Sequence, residues 1–265
     1  SKSFAVTILD QSFQDTTDRF IALTLSSASP AGALGSPATA LISIIADESV
    51  NEPPGSLDTQ FTLGIMNEAV LALGLQSDGK ILAGGDFTLV NFVSRSRLVR
   101  LLSLNGAIDS TFTASVNGSV QSIVPQGDGS ILIAGAFTGV NGVVRNHVAR
   151  LKSNGTVDTA FDPGAGTDLS VFGMAEAMQN GQRKVVLGGA FTLVSGLNRR
   201  GVVRLNDDGA VDNTFDPGAG ANGGVYAVAV YPTNTTHAGK VLVGGEFTTF
   251  GEEPRPRLVR LNLDG

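Results

Sequence analysis

Apolar residues in this chain come in short runs broken by Gly, Asn, Asp, Ser and Pro, and no stretch shows helical periodicity with caps. From residue 55 onward the runs recur in one fixed order. In the first copy they are AVLALGLQ (69–76), KILAGGDF (80–87), SRLVRLLS (96–103) and AIDSTF (107–112). Asp78-Gly79 follows the first run and Asn105-Gly106 precedes the last. Later copies keep the punctuation at Asp128-Gly129, Asn154-Gly155, Asn180-Gly181 and Asp208-Gly209. Such dipeptides suit two-residue hairpin turns that need positive φ, so each copy predicts four short antiparallel strands. The second run is apolar almost without a break, as in ILIAGAF (131–137) and VVLGGAF (185–191), which predicts burial on both faces.

Two landmarks fix the period. Gly-Gly-Asp-Phe at 84–87 returns as AGAF (134–137), GGAF (188–191) and GGEF (244–247). A Gly-x-hydrophobic-Asp-x-x-Phe element stands at 55–61, 106–112, 155–161 and 209–215, with steps of 51, 49 and 54 residues between its phenylalanines. The glycines before each Phe suit close approach of one sheet to the next. Four strands in a repeat of about 50 residues are the signature of a β-propeller, favoured over a β-solenoid, whose coils are shorter. The orphan element at 55–61 either pairs with the last copy to close a four-bladed ring or completes a blade of a larger ring; the larger ring is favoured.

The motifs QSDGKILAGGDF, RLLSLNGAIDSTF and RLNDDGAVDNTF resemble the delta-60 repeat family of bacterial proteins, over residues 55–265. The resemblance implies a propeller-type repeat domain and brings no catalytic residues.

Residues 3–48 lack this period. SFAVTILD, RFIALTLSS and ATALISIIAD read as three strands. The strings VTILDQSFQDTTDRFIALTL and GALGSPATALISIIADE resemble the second half of a Calx-beta domain, an immunoglobulin-like sandwich. That family commonly binds calcium through clustered acids, and the resemblance places calcium ligands on Asp10, Asp15, Asp18, Asp47 and Glu48. Gln11 and Thr17 stand where the family carries acids. Calcium takes six to eight oxygen ligands, and the alternative is that these are ordinary solvated loop acids. The expected organisation is all-β: a partial Calx-beta-like sandwich (1–48), a linker (49–56) stiffened by two prolines, and propeller repeats (57–265). Both ends read as cuts inside a longer polypeptide.

Composition narrows the chemistry. The chain has 18 basic and 24 acidic residues, a net charge of −6, which argues against nucleic acid as a partner. There is no Cys, so thiol catalysis and zinc–thiolate sites are excluded. No apolar stretch is long enough to cross a bilayer as a helix. Gly218-Ala-Gly220-Ala-Asn-Gly223 matches a dinucleotide fingerprint, but a strand-like run follows it where a helix is required, so it reads as an inter-blade loop. His147 and His237 occupy unlike positions in their copies and read as surface residues.

Every copy holds two arginines five apart: Arg95/Arg100, Arg145/Arg150, Arg199/Arg204 and Arg255/Arg260. A ring of cations for an anionic ligand is one reading. The favoured one is structural: each pair holds the Asp of a neighbouring Asp-x-x-Phe element or a backbone carbonyl, through the fixed donor fork of Arg. The expected function is a non-catalytic structural or adhesive module of a large bacterial extracellular or cell-surface protein. Its expected partners are other domains of the same polypeptide, or a surface protein, matrix protein or glycan. The alternatives are a carbohydrate-binding or carbohydrate-cleaving propeller, favoured by aromatics and carboxylates gathered at one mouth, and an accessory subunit of a larger assembly.

Overall fold

The computed structural model describes residues 19–24, 39–44, 56–62 and 64–265. The chain divides into two compact units, Ser1–Thr59 and Gln60–Gly265. In the first, β1 (Arg19–Thr24) pairs antiparallel with β2 (Thr39–Ile44), in a register running from Arg19 opposite Ile44 to Thr24 opposite Thr39.

The second unit is four blades of one design. Blade 1 is a meander of β3 (Val70–Leu75), β4 (Ile81–Gly85) and β7 (Leu98–Leu101), with a small hairpin, β5 (Leu89–Val90) and β6 (Val93–Ser94), inserted before the third strand. Blade 2 repeats it with β8 (Val120–Pro125), β9 (Ile131–Gly135), hairpin β10 (Gly139–Val140)–β11 (Val143–Val144) and β12 (Val148–Leu151). Blade 3 has β13 (Val171–Gln179), β14 (Gln182–Gly189), hairpin β15 (Leu193–Val194)–β16 (Leu197–Asn198) and β17 (Val202–Asn206). Blade 4 has β18 (Val225–Val230), β19 (Val241–Gly245), hairpin β20 (Thr249–Phe250)–β21 (Glu253–Pro254) and β22 (Leu258–Leu261). The first strands pack in sequence, β3 on β8, β8 on β13 and β13 on β18.

The middle strands of blades 1 to 3 are buried over most of their length, as their unbroken apolar runs require, and β9 is buried at every position, whereas β19 of blade 4 is buried only at Val241 and Val243. Phe87, Phe137, Phe191 and Phe247 are all 0% exposed and occupy one equivalent position per blade. The cores are shared between neighbours. Val120 and Ile123 of blade 2 pack with Leu82 and Leu98 of blade 1. Val171 and Met174 of blade 3 meet Leu132, Ala134 and Val148 of blade 2. Val225 of blade 4 meets Val186 and Val202 of blade 3. Gly84 explains the need for glycine here: a Cβ on it would lie 2.6 Å from the Val120 side chain.

Two local expectations change. The Asp-x-x-Phe segment is no full fourth strand. It makes a single bridge to the third strand, Leu101–Ile108 in blade 1, Leu151–Val157 in blade 2 and Leu205–Val211 in blade 3. It then curls, because the Asp109 carboxylate accepts the Thr111 amide at 2.9 Å and the Phe112 amide closes on the Asp109 carbonyl at 3.3 Å. The curl sends Phe112, Phe161 and Phe215 into the core shared with the next blade. The Asp78-Gly79 turn also differs. Only Gly79 has positive φ, and Gln76 and Lys80 flank a three-residue loop in which Asp78 caps the Lys80 amide at 3.2 Å. Of the six Asp-Gly and Asn-Gly dipeptides that punctuate the repeat, only Asn180-Gly181, on the longest hairpin, has positive φ at both residues.

Truncating Phe191 to Ala is expected to cost about 3–5 kcal/mol, read as a lower midpoint in urea unfolding with an unchanged slope. A loss under about 1 kcal/mol contradicts its place in the core.

Candidate functional site

The second arginine of the first three pairs is a clamp between blades, whereas Arg260 lies over the Tyr231 ring at 6.0 Å. Arg100 Nε donates to Asp109 Oδ2 at 2.9 Å within blade 1, while its Nη1 donates to the Ser153 carbonyl of blade 2 at 2.6 Å. Arg150 repeats this with Asp158 at 2.7 Å and the Asp207 carbonyl of blade 3 at 2.8 Å. Arg204 does so with Asp212 at 2.8 Å and the Leu263 carbonyl of blade 4 at 2.8 Å. Each guanidinium also lies over the Phe of its Asp-x-x-Phe element, 4.7 to 5.2 Å from the ring centre. The first arginines, Arg95, Arg145, Arg199 and Arg255, each donate to the carbonyl of the preceding residue at 2.8 to 2.9 Å. The structural reading of the pairs therefore holds in every blade.

Burial alone would raise the Asp212 pKa, but hydrogen bonds from the Thr214 hydroxyl and amide and from Arg204 outweigh it and hold the carboxyl at about 2. Asp109 and Asp158 are lowered in the same manner: burial opposes the shift, and Thr111 with Arg100, or Arg150 with the Ala160 amide, overrides it.

Two clefts between blades carry further chemistry. Between blades 2 and 3, a cleft of about 860 Å³ holds Arg183 against Asp128 at 2.8 Å and Glu176 at 3.0 Å. The Ser130 hydroxyl first, and Arg183 next, hold the Asp128 carboxyl well below the usual range. These charges satisfy one another. On the blade 3–4 side, a cleft of about 330 Å³ is lined by Phe172, Thr192, Arg200, Asn222, Tyr226 and Glu246. The Phe172 and Tyr226 rings lie 5.4 Å apart, tilted by 48°. The Tyr226 hydroxyl donates to the Glu246 carboxylate, and that hydrogen bond raises the phenol's pKa. This cleft pairs aromatic faces with a carboxylate, a guanidinium and an amide, a set able to stack on and hydrogen-bond a polar ring.

Neither the aromatic pair nor its carboxylate was singled out as a site by the repeat pattern. The pair sits on the first strands, which differ most from copy to copy: Leu71, Gln121, Phe172 and Tyr226 share one position. A second feature without a sequence signal is the positive φ shared by Arg97, His147, Gly201 and Arg257. There the chain bulges so that each residue's amide bonds the motif Phe carbonyl at 2.8 to 2.9 Å; only Gly201 hints at it. His147 Nδ1 lies 2.8 Å from the Thr167 carbonyl. Gly218 and Gly220 fall in the loop before β18, and both have positive φ. Asp10, Asp15, Asp18, Asp47 and Glu48 lie outside the described residues. Among the described residues no group of three or more His, Asp or Glu could hold a metal ion.

A family model described as a domain of unknown function (DUF5122) beta-propeller matches residues 76–112, 126–161, 183–215 and 239–265, together half of the chain. The chain belongs to this beta-propeller family. The DUF5122 repeats are the delta-60-like units marked by the glycine, arginine and Asp-x-x-Phe motifs. The matched segments omit every first strand, so Phe172 and Tyr226 fall between them while Glu246 lies within the last. No curated protein sequence matches the chain. Among solved structures it is similar to the crystal structure of the WD40 beta propeller domain of Doa1, at 13% identity over 69% of this chain and 78% of that one, with a TM-score of 0.29.

The clamps set an acid limit. A carboxyl held below its ordinary value of 3.8 contributes stability that is complete above that pH and is lost as pH falls through the folded value, about 2 for Asp212. The thermal midpoint is therefore expected to fall steadily from about pH 4 toward pH 2. Asp212→Asn should lower stability at neutral pH by about 3–5 kcal/mol, since Arg204 is left buried with a poorer partner, and should flatten the acid dependence. Calorimetric scans of both proteins across that range check this.

Proposed function

We propose that this DUF5122 propeller is a non-catalytic structural or adhesive module of a large bacterial extracellular or cell-surface protein. The observation that carries the reading is the use of the repeated charges: each Arg–Asp pair joins neighbouring blades rather than facing an open basin. What repeats is committed to cohesion, which leaves the variable first strands and loops as the binding surface. Its partners on this reading are other domains of the same polypeptide, or a surface protein, matrix protein or glycan.

A second reading has one specific observation behind it. Phe172, Tyr226 and Glu246 gather in one cleft, the arrangement that favours a carbohydrate-binding or carbohydrate-cleaving propeller. One experiment separates the two. Immobilised chain is exposed to matrix proteins and soluble polysaccharides, and binding and new reducing ends are both recorded. Saturable binding without new reducing ends is expected. Reducing ends that appear with the native chain and vanish with Glu246→Gln would replace the adhesive reading by a cleaving one.

Residues 1–48 are proposed as part of a Calx-beta-like sandwich, with the antiparallel β1–β2 pair as support beyond the sequence resemblance. Calcium is its proposed ion, on Asp10, Asp15, Asp18, Asp47 and Glu48. Titration of the chelator-treated chain with calcium should release heat, and Asp15→Asn with Asp18→Asn should abolish it. No heat from the native chain would remove the site.

A further inference from the structure

Three positions recur at each joint between blades: the residue before the motif Phe, the positive-φ residue ahead of the third strand, and the residue ahead of the next blade's first strand. At the joint of blades 1 and 2 they are Asp86, Arg97 and Ser119, and they form a polar plug. Arg97 Nη1 lies 3.5 Å from Asp86 Oδ1, and the Ser119 hydroxyl donates to the same oxygen. At the joint of blades 2 and 3 they are Ala136, His147 and Ser170, and the imidazole reaches across to the Thr167 carbonyl at 2.8 Å. At the joint of blades 3 and 4 they are Ala190, Gly201 and Gly224, so the plug is gone. All three residues line the cleft of about 330 Å³ described above. The joint holds without the plug, because Val225 still packs with Val186 and Val202 in the core.

What stands around the opening is equally particular to this joint. Phe172 and Tyr226 face one another where the first joint has Leu71 and Gln121. Arg200 takes the place of Ser96 and Asn146. Among the described residues its guanidinium has no hydrogen bond or ion pair. The other polar groups are mostly committed. The Thr192 hydroxyl donates to Asp168 at 2.7 Å and the Asn222 amide to the Thr248 hydroxyl at 2.9 Å. Glu246 accepts the Tyr226 hydroxyl, which uses one of about four acceptor positions on a carboxylate. The cleft therefore offers two ring faces, spare acceptor positions and one unspent cation.

We propose that this cleft binds a pyranose carrying one carboxylate, a uronate residue at an end or branch of a glycan. The inference rests on the carbohydrate reading of the cleft and narrows it to an acidic sugar. The C–H face of the ring packs on Phe172 and Tyr226, its hydroxyls donate to Glu246, and its carboxylate takes the donor fork of Arg200. A neutral sugar would leave the guanidinium unspent. The net charge of −6 disfavours a polyanion, which sets the ligand at a single acidic residue. The volume agrees, lying at the lower end of the roughly 300–1,000 Å³ of ligand sites.

The test is an NMR titration of the isotopically labelled 265-residue chain with methyl glucuronide and methyl glucoside, which differ only at C6. The glucuronide should bind at least tenfold more tightly, with the largest shifts at the amides of Ala190, Gly201 and Gly224. Arg200→Gln should bring the glucuronide down to the level of the glucoside and leave the glucoside unchanged. Tyr226→Ala should weaken both sugars. Ala190→Asp, which returns the acid of the first joint, should weaken the glucuronide alone. Arg200 and Tyr226 are exposed, so both variants should keep the native thermal midpoint. Equal binding of the two sugars, or a glucuronide affinity indifferent to Arg200→Gln, overturns the acidic-sugar inference and leaves the carbohydrate reading standing. Binding of neither sugar removes both.

Discussion

One guanidinium in each of the first three blades, from Arg100, Arg150 or Arg204, ties it to the next. Its Nε is tied to an aspartate of its own blade, its Nη1 to a carbonyl of the next, and its flat face covers the phenylalanine wedged between them. A single side chain thus couples the fold of one blade to the position of its neighbour. Lysine could not do this, because a point charge on a flexible stem cannot keep the two bonds and the stacked face together. The arrangement also explains how so few charges suffice in a chain that is only 16% charged. The charges of the three clamps are mostly buried, bonded to more than one partner, and placed where blades meet.

Most of this design was legible along the sequence because it recurs. The Gly-Gly/Ala-x-Phe motif marks the buried middle strand, and the recurring Arg and Asp point to one another by their fixed separation. The glycine pairs announce close packing, as Gly84 and Gly188 show. What stayed hidden depends on local geometry. An Asp-x-x-Phe run looks like a strand end, but its carboxylate captures the amide two residues on and bends the chain. The small hairpins, with Asn91-Phe92, Asn141-Gly142 and Ser195-Gly196 at their tips, are too short and too mixed in character to register as strands.

The cleft between blades 3 and 4 was illegible for the opposite reason. Phe172 and Tyr226 lie 54 positions apart and come together only because successive first strands lie side by side. Nothing in their local sequence separates them from core aromatics. Repetition reveals what every blade needs, and the features of a single blade are invisible to it. Residues bearing on recognition are expected among the latter, because a ligand seldom shares the symmetry of the scaffold.

The Asp-x-x-Phe element also bears on how such an array grows. Its first half bridges one blade and its phenylalanine belongs to the core of the next, so the repeat in the sequence and the unit in space are out of phase. Any segment of one period, cut at any point, therefore carries a whole joint's worth of residues distributed across its two ends. Duplicating or deleting such a segment restores every joint without a seam.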